Sequence, residues 1–247
     1  MITSEVPKTW KNLQTKVGEI LEGCGFKIEI EKIVESVRGK VEIDVYAIEE
    51  IDGRKYSVLC ECKYWKTNIP QTIIHAFRTV VNDTGCNIGY IITTSKFQSG
   101  AKESVTKSNV ELLTWYEFQS LFFDSWFSNY FYRNLNKSLR VDNHYYSFEY
   151  FDFLTTEDKK LYFSIKNKID EAFEVLEYFA LPYMLKKEVA NLPLFDNLYK
   201  EAEYYGEIPF DILNECDYEN FIKKFVSHVE ANIKELNNLY EKYKNST

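Results

Sequence analysis

The chain has 247 residues, of which 45% are apolar and 28% are charged, a composition that excludes a disordered or fibrous protein. Its net charge of −8 argues against a nucleic-acid partner, because phosphate binding depends on Lys and Arg. Its longest uncharged apolar run is far shorter than the ~18 residues of a membrane span, and its N-terminus has no pattern for export. We therefore expect a cytoplasmic protein without a membrane partner.

The first half of the chain opens with the pattern of one helix and three strands. Apolar residues at helical spacing predict an amphipathic helix over residues 10–24. Near-alternation then predicts a strand over residues 26–37, which a turn joins to a second strand over residues 41–46. The pair Asp52-Gly53 is typical of a tight hairpin turn and leads into a third strand over residues 55–64.

A second helix and two further strands follow. We expect Asn68 to cap this helix, with Pro70 in its first turn and Gly85 at its end. Apolar strands over residues 88–93 and 110–113 flank a short helical segment near Ala101. The succession predicts an α/β sandwich with a mixed central sheet.

The second half of the chain, residues 125–247, carries helical patterns and no strand pattern. Two narrow apolar seams run through it, one over residues 165–179 and one over residues 222–243. The two seams either pack on each other within one chain or pair with a second copy, which would make a homodimer. We predict an α/β domain at 1–124 and an all-α domain at 125–247 whose role would be dimerisation or regulation.

Charge and cysteines refine these expectations. Residues 1–124 hold 15 Lys plus Arg against 17 Asp plus Glu, whereas residues 125–247 hold 15 against 21, so the acidity lies mostly in the second half. Five cysteines without C-x-x-C spacing favour neither a disulfide framework nor a zinc site. Cys60 and Cys62 alternate on the third strand, and we interpret them as small core residues.

Three charged residues on the predicted strands could carry chemistry. Glu61 and Lys63 are two apart on one strand and therefore project from the same face. The hairpin at Asp52-Gly53 can bring Asp44 of the preceding strand beside them. The alternative is an ordinary charged strand face in contact with solvent.

This combination suits metal-assisted hydrolysis of a phosphodiester. Carboxylate oxygens of Asp44 and Glu61 would hold Mg²⁺ or Mn²⁺, which lowers the pKa of a bound water. The ammonium of Lys63 would orient the attacking water or offset the developing charge on phosphorus.

The ordered series of motifs resembles the Mrr-like restriction endonuclease domain of the PD-(D/E)xK nuclease superfamily, over about residues 10–122. The segments that carry the resemblance are Gly25-Phe26, Ile43-Asp44, Glu61-Cys62-Lys63, Gly89-Tyr90-Ile91-Ile92-Thr93-Thr94, Phe97 and Ala101. The resemblance implies a restriction-endonuclease-like α/β/α sandwich. It also implies Mg²⁺-dependent cleavage of DNA, commonly double-stranded DNA in defence against foreign DNA, of the type IV restriction kind.

Two glutamines join the candidate site through this resemblance. Related domains often carry an acidic residue on the first helix, and the aligned position here is Gln14. On a helical wheel Gln14 lies about 70° from the centre of the apolar stripe, whereas Glu19 and Glu22 lie about 150° away and should face solvent. Gln71 lies near the N-terminus of the second helix, at a position that is often part of the site in related nucleases. Many family members have Gln where this chain has Glu61.

Weaker candidates for DNA contact lie on the second helix and after the following strand. His75, Arg78 and Asn82 continue the polar stripe that begins at Gln71, near a helix N-terminus that favours phosphate. Thr94 and Lys96 follow the apolar strand and could also donate to phosphate. The alternatives are a solvated helix face and a capping turn.

Other functions remain open at the level of sequence. A non-catalytic module that binds nucleic acid or a protein partner is consistent with the net charge and with Gln14 in place of an acid. A nuclease that cuts RNA would use the same residues.

Overall fold

The computed structural model describes residues 1–199 and 206–245. The chain divides into two compact units, Met1–Tyr130 and Phe131–Thr247. The boundary lies after Tyr130 and not after residue 124, because the helix that crosses residue 124 continues to pack on the first helix. A Cβ atom on Gly23 would lie 2.6 Å from Trp126 Cδ1 and 3.5 Å from Tyr130 Cβ. That the two units act as separate domains stays a prediction.

A five-stranded sheet forms the centre of the first unit. Its strands are β1 Lys27–Ser36, β2 Gly39–Ile51, β3 Arg54–Lys63, β4 Ile88–Thr93 and β5 Val110–Thr114, in the order β1-β2-β3-β4-β5. The strands β1, β2 and β3 pair antiparallel, whereas β3, β4 and β5 pair parallel. The predicted mixed sheet is confirmed.

Four helices accompany this sheet: α1 Trp10–Gly23, α2 Gln71–Thr84, α3 Ala101–Ser104 and α4 Trp115–Trp126. The predicted cap at Asn68 is wrong, because α2 begins at Gln71 with the extended residue Pro70 before it. Proline has a fixed φ and lacks the N–H that a helix start leaves unbonded, so it suits this place. Gly85 ends α2 in the left-handed conformation, as expected.

The turn between β2 and β3 fixes which residues face each other. Asp52 and Gly53 both have positive φ, 50° and 76°, as the tight hairpin turn requires. Ile51 consequently pairs with Arg54, and Val45 pairs with Cys60 at the other end of the ladder.

An apolar cluster lies between one face of the sheet and α2. Its buried members are Ile43, Leu59, Ile74, Phe77, Val81, Cys86, Ile91, Ala101, Val110 and Leu112. Gly89 allows β4 to approach α2, since a Cβ atom there would lie 2.5 Å from Val81 Cγ2 and 2.8 Å from Phe77 Cε1. This packing sets the distance between the sheet and α2.

The second unit is helical in its described part, as predicted. A π-helical segment Phe127–Tyr132 leads into it. Its helices are α5 Arg133–Ser138, α6 Asn143–Tyr146, α7 Thr156–Lys186, α8 Phe210–Leu213 and α9 Tyr218–Lys244, with single turns at Phe151–Phe153 and Phe195–Tyr199. None of the helices in residues 1–199 and 206–245 is long and apolar enough to cross a membrane.

The helices α7 and α9 run antiparallel and bury their seams against each other. Asp158 near the start of α7 accepts a hydrogen bond from Lys242 near the end of α9, and Phe179 near the end of α7 packs on Phe221 near the start of α9. Ile169 and Leu236 belong to one shared apolar cluster. The two seams therefore pack on each other within the chain, and a homodimer stays a prediction that would need another surface.

Candidate active site

The end of the β2–β3 ladder brings Asp44 next to β3. Pairing of the two strands stops at Val45 and Cys60. Just beyond that point, the Cys62 backbone N–H donates to Asp44 Oδ2 at 2.6 Å. The carboxylate therefore takes the amide at the place where the regular ladder stops, and it lies beside the stretch of β3 that carries Glu61 and Lys63.

Glu61 and Lys63 form an ion pair on one face of β3. The Lys63 ammonium donates to Glu61 Oε1, and the side chains of Lys63 and Glu61 are 17% and 23% exposed. Both groups are thus largely withdrawn from solvent yet open to a ligand. Leu59 precedes them on the same face and lies in the cluster under α2, so the alternation of the strand directs both charged side chains toward the α2 side of the sheet.

Burial makes Glu61 an unusual carboxyl group. Desolvation raises its pKa above the ordinary value, a hydrogen bond and the charge of Lys63 lower it, and the charge of Asp44 raises it further. The net shift is upward. A divalent cation bound here would relieve both the desolvation and the repulsion between the two carboxylates.

Gln14 joins the site from α1. It is fully buried, and its Nε2 donates to Asp44 Oδ1 at 2.9 Å. Both carboxylate oxygens of Asp44 therefore have donors, one from a helix and one from the sheet. Among the described residues, Gln14 Oε1 is one of two buried side-chain polar atoms without a hydrogen-bond partner. Glu19 and Glu22 of the same helix are exposed, as expected.

The oxygen atoms gathered here suit Mg²⁺ or Mn²⁺. Asp44 and Glu61 offer carboxylates, and Gln14 offers an amide oxygen that lacks a partner. Within residues 1–199 and 206–245 no group of three His, Cys, Asp or Glu side chains could hold a metal ion together. Mg²⁺ usually keeps several waters and needs only one or two protein carboxylates, so the pair Asp44 and Glu61 is compatible with such an ion.

Two loops meet at the carboxyl end of β3 and β4. Thr93 Oγ1 donates to the Lys63 carbonyl at 2.9 Å, and the Thr94 N–H donates to the same oxygen at 3.3 Å. Ile69 N–H donates to the Lys96 carbonyl at 2.8 Å. These bonds hold the segment after Lys63 and the segment after Thr93 together beside the site.

Gln71 lies at this edge but outside the charged group. A Cβ atom on Gly100 would lie 2.9 Å from Gln71 Nε2, so the amide packs on the loop before α3. No hydrogen bond joins Gln71 to Asp44, Glu61 or Lys63 in the part of the chain that the structure describes.

The weaker DNA-contact candidates are placed unequally. His75, Asn82 and Lys96 are exposed, whereas Thr94 is half-buried. Arg78 donates to the Ser104 carbonyl at 2.6 Å, so its guanidinium ties α2 to α3.

Three further residues that the sequence patterns did not indicate lie next to the site. Tyr64, Trp65 and Lys66 are exposed immediately after Lys63, and each aromatic side chain is 39% exposed. Exposed aromatic rings beside a basic residue are suited to contact nucleic acid. The signal in the sequence was the aromatic pair between two lysines.

The buried cysteines of β3 are not placed to contact nucleic acid. Cys60 and Cys62 are fully buried, and burial raises the pKa of both thiols well above the usual range. Both thiols therefore stay protonated, as befits small core residues.

Comparison with known families decides the class of the first unit. Residues 8–122 match the family model of the Mrr catalytic domain, described as a restriction endonuclease. These residues form a restriction endonuclease domain of the Mrr family. The match includes every residue of the candidate site, from Gln14 to Lys96. A comparison with curated proteins gave no match.

Three solved structures are similar at low identity. A protein of unknown function, AF1548, is 20% identical, with a TM-score of 0.38, over 68% of this chain and 95% of its own. The DNA modification-dependent restriction endonuclease AspBHI is 14% identical, with a TM-score of 0.30, over 49% of this chain and 38% of its own. The MspJI restriction endonuclease, in complex with a 27-mer oligonucleotide, is 16% identical, with a TM-score of 0.32, over 48% of this chain and 28% of its own. The chain thus spans 38% of the length of AspBHI and 28% of the length of MspJI.

Proposed function

We propose that this protein is a metal-dependent DNA endonuclease that hydrolyses phosphodiester bonds at Asp44, Glu61 and Lys63. The observation that carries the proposal is the placement of two carboxylates and one ammonium at the end of β3, inside a restriction endonuclease domain. The net charge of the first half is close to zero. A divalent cation held by two of its carboxylates would offset their charge, which makes this half compatible with DNA.

Each residue has a definite task in this proposal. Asp44 and Glu61 would hold Mg²⁺ or Mn²⁺, which supplies an activated water and offsets charge on the phosphoryl group. Lys63 lies within hydrogen-bond reach of Glu61, where its ammonium can orient the water or stabilise the charge that develops on the phosphoryl oxygens. Gln14 keeps Asp44 in place through Nε2, and its Oε1, which lacks a partner, would be able to accept a hydrogen bond from water when a metal is held. We assign Gln71 a supporting role at the DNA-facing edge.

Cleavage of a plasmid tests this function. Wild-type protein should convert supercoiled DNA to nicked or linear forms in Mg²⁺ or Mn²⁺, and excess chelator should stop the reaction. Digestion of RNA beside DNA, and of methylated beside unmethylated and branched DNA, defines the substrate. A protein that leaves all of these intact in both metals contradicts the proposal.

The second candidate is a binding module without catalysis, and the net charge of −8 and the amide at Gln14 favour it. Calorimetry with Mn²⁺ or with the inert substitute Ca²⁺ separates the two. The nuclease should bind the ion and lose binding in Asp44→Ala and in Glu61→Ala. A binding module need show no metal affinity that depends on these carboxylates.

We also propose the cytoplasm as the location, defence against foreign DNA as the setting, double-stranded DNA as the substrate and a homodimer as the working form. Two copies would place one site on each DNA strand and produce double-strand breaks. Since α7 and α9 cover each other's seams, the contact between copies would use another surface. Light scattering at micromolar concentration tests the dimer, and a monomer there would overturn it.

A further inference from the structure

The strand β1 contains one residue with an unusual backbone, and that residue lies opposite Asp44. Glu31 has a φ of 52°, in the left-handed region that residues other than Gly, Asn and Asp rarely adopt. Ile30 pairs with Val45 and Lys32 pairs with Ile43, but Glu31 and Asp44 between them do not pair. The register is the same on both sides of this gap.

Each of the two strands turns over at the gap, so that side chains of equal parity before and after it point to opposite sides of the sheet. Ile28 and Ile30 face α1, because a Cβ atom on Gly18 would lie within 3.4 Å of both. Val34, an even-numbered residue of the same strand, packs instead on the cluster under α2. Regular alternation would put all three on one face, so β1 must turn over at Glu31.

The strand β2 turns over at the matching place. Ile43 lies in the cluster under α2 and so does Tyr46, although the two positions have opposite parity. Val45 pairs with Ile30 and therefore faces α1. The turnover in β2 thus occurs at Asp44, which is the residue without a cross-strand partner.

This geometry explains how Asp44 reaches two donors on different sides. A side chain in a regular strand points to one face only. Asp44 accepts from Gln14 on α1 and also from the Cys62 N–H along the sheet, which a carboxylate at a turnover point can do. Disruption of regular pairing re-aims side chains at functional sites in other sheets too.

We propose that Glu31 is a positioning residue, whose left-handed backbone turns β1 over and thereby aims Asp44 at the metal site. The inference rests on the proposed function for its purpose, although the position of Asp44 can be measured without it. The Glu31 side chain forms an ion pair with Lys11 of α1. The Lys11 and Glu31 side chains are 64% and 35% exposed, and a pair this open to solvent should contribute little, so the backbone conformation is the active feature.

A purely structural alternative makes the opposite prediction. Beyond the turnover, the ends of β1 and β2 and the turn that joins them form a hairpin arm, residues 32–43. This hairpin arm packs on α2, where Val37 N–H donates to the Asp83 carbonyl and Arg38 pairs with the Asp83 side chain. If the turnover served only this packing, changes at residue 31 would loosen the arm and leave Asp44 unaffected. Arg38→Ala loosens the arm directly and is the matched control.

The test compares substitutions that differ in their tolerance of positive φ. Glu31→Gly and Glu31→Asn accept it, whereas the β-branched Glu31→Val does not. The first readout is the amide resonance of Cys62 in the metal-free protein, which reports its hydrogen bond to Asp44. The second is Mn²⁺ affinity by calorimetry. Lys11→Ala controls for loss of the ion pair.

We expect the Gly, Asn, Lys11→Ala and Arg38→Ala variants to keep the Cys62 resonance and an affinity within about twofold of wild type. Glu31→Val should shift the Cys62 resonance and lower Mn²⁺ affinity about tenfold or more. If Glu31→Val does not fold, Glu31→Ala replaces it, and a smaller shift in the same direction is expected.

A folded Val or Ala variant whose Cys62 resonance matches that of Glu31→Gly overturns the inference. Wild-type protein that binds no Mn²⁺ would contradict the proposed function instead, and the Cys62 resonance would still decide whether Glu31 positions Asp44.

Discussion

Gln14 Nε2 donates to Asp44 Oδ1 at 2.9 Å, while the Cys62 amide donates to the other oxygen of the same carboxylate. Asp44 is therefore held from α1 and from the sheet together. The amide at residue 14 supplies a donor where an acidic residue would supply a charge, and this difference can be measured.

Gln14→Glu should make the metal-free protein less stable and its response to metal larger. The variant loses a hydrogen bond to a charged group, worth about 2 kcal/mol, and places a second negative charge beside Asp44. Bound Mn²⁺ should offset that charge, so the rise in melting temperature on adding Mn²⁺ should exceed that of wild type. Thr15→Glu, which adds a charge at an exposed neighbour, is the control. Equal metal-induced shifts in the two variants would show that residue 14 does not face the metal.

Glu61→Gln should stabilise the metal-free protein at alkaline and neutral pH. Burial raises the pKa of Glu61, so the folded state favours the protonated carboxyl, and the stability that this gives at low pH is lost as pH rises through the folded pKa. The neutral amide avoids that loss. Thermal melts in chelator should show the variant melting above wild type at pH 8, with the difference closing as pH falls below the ordinary carboxyl pKa. A difference that widens toward low pH would contradict the assigned direction.

Gly89→Ala should destabilise the first unit by about 1–3 kcal/mol, because the added methyl group meets α2. The new Cβ would lie 2.5 Å from Val81 Cγ2. Denaturant unfolding measures the loss. The second substitution Val81→Ala should recover part of it by making space, and strictly additive losses would show that the two side chains do not meet.

Asp158→Asn should weaken the second unit at neutral pH and have less effect in acid. The hydrogen bond from Lys242, and then that from Tyr243, lower the pKa of Asp158 from 3.8 to about 2. A lowered pKa gives stability above the ordinary value that is lost as pH falls through the folded value. The melting difference between wild type and the variant should therefore shrink between about pH 4 and pH 2. A constant difference across that range would argue against the ionic contact between α7 and α9.

The sequence predicted the elements of the first unit well because local signals agreed with the fold. Asp52-Gly53 required a hairpin, and that hairpin placed Asp44 near Glu61 and Lys63. The inward position of Gln14 followed from its angle on the helix and from the family resemblance, and the structure places its amide on Asp44, whereas its part in catalysis stays a prediction.

The turnover at Glu31 and Asp44 was beyond sequence reasoning for a physical reason. Alternation predicts the direction of side chains only when a strand keeps the same orientation along its whole length. Ile28, Ile30 and Val34 are all even-numbered and would then share one face of the sheet, but in the structure they lie on two faces. Likewise, the apolar seams of α7 and α9 predict a buried stripe without saying which helix covers it. Tertiary contacts decide both questions.

The rate of DNA cleavage by Lys63→Ala tests the central claim most directly. Lys55→Ala removes an exposed lysine near the other end of the same strand and serves as its matched control. With supercoiled plasmid and Mg²⁺ or Mn²⁺, wild type and Lys55→Ala should cut at similar rates, whereas Lys63→Ala should be slower by about 100-fold or more. Cutting by folded Lys63→Ala at the wild-type rate would contradict the assignment of catalysis to Asp44, Glu61 and Lys63.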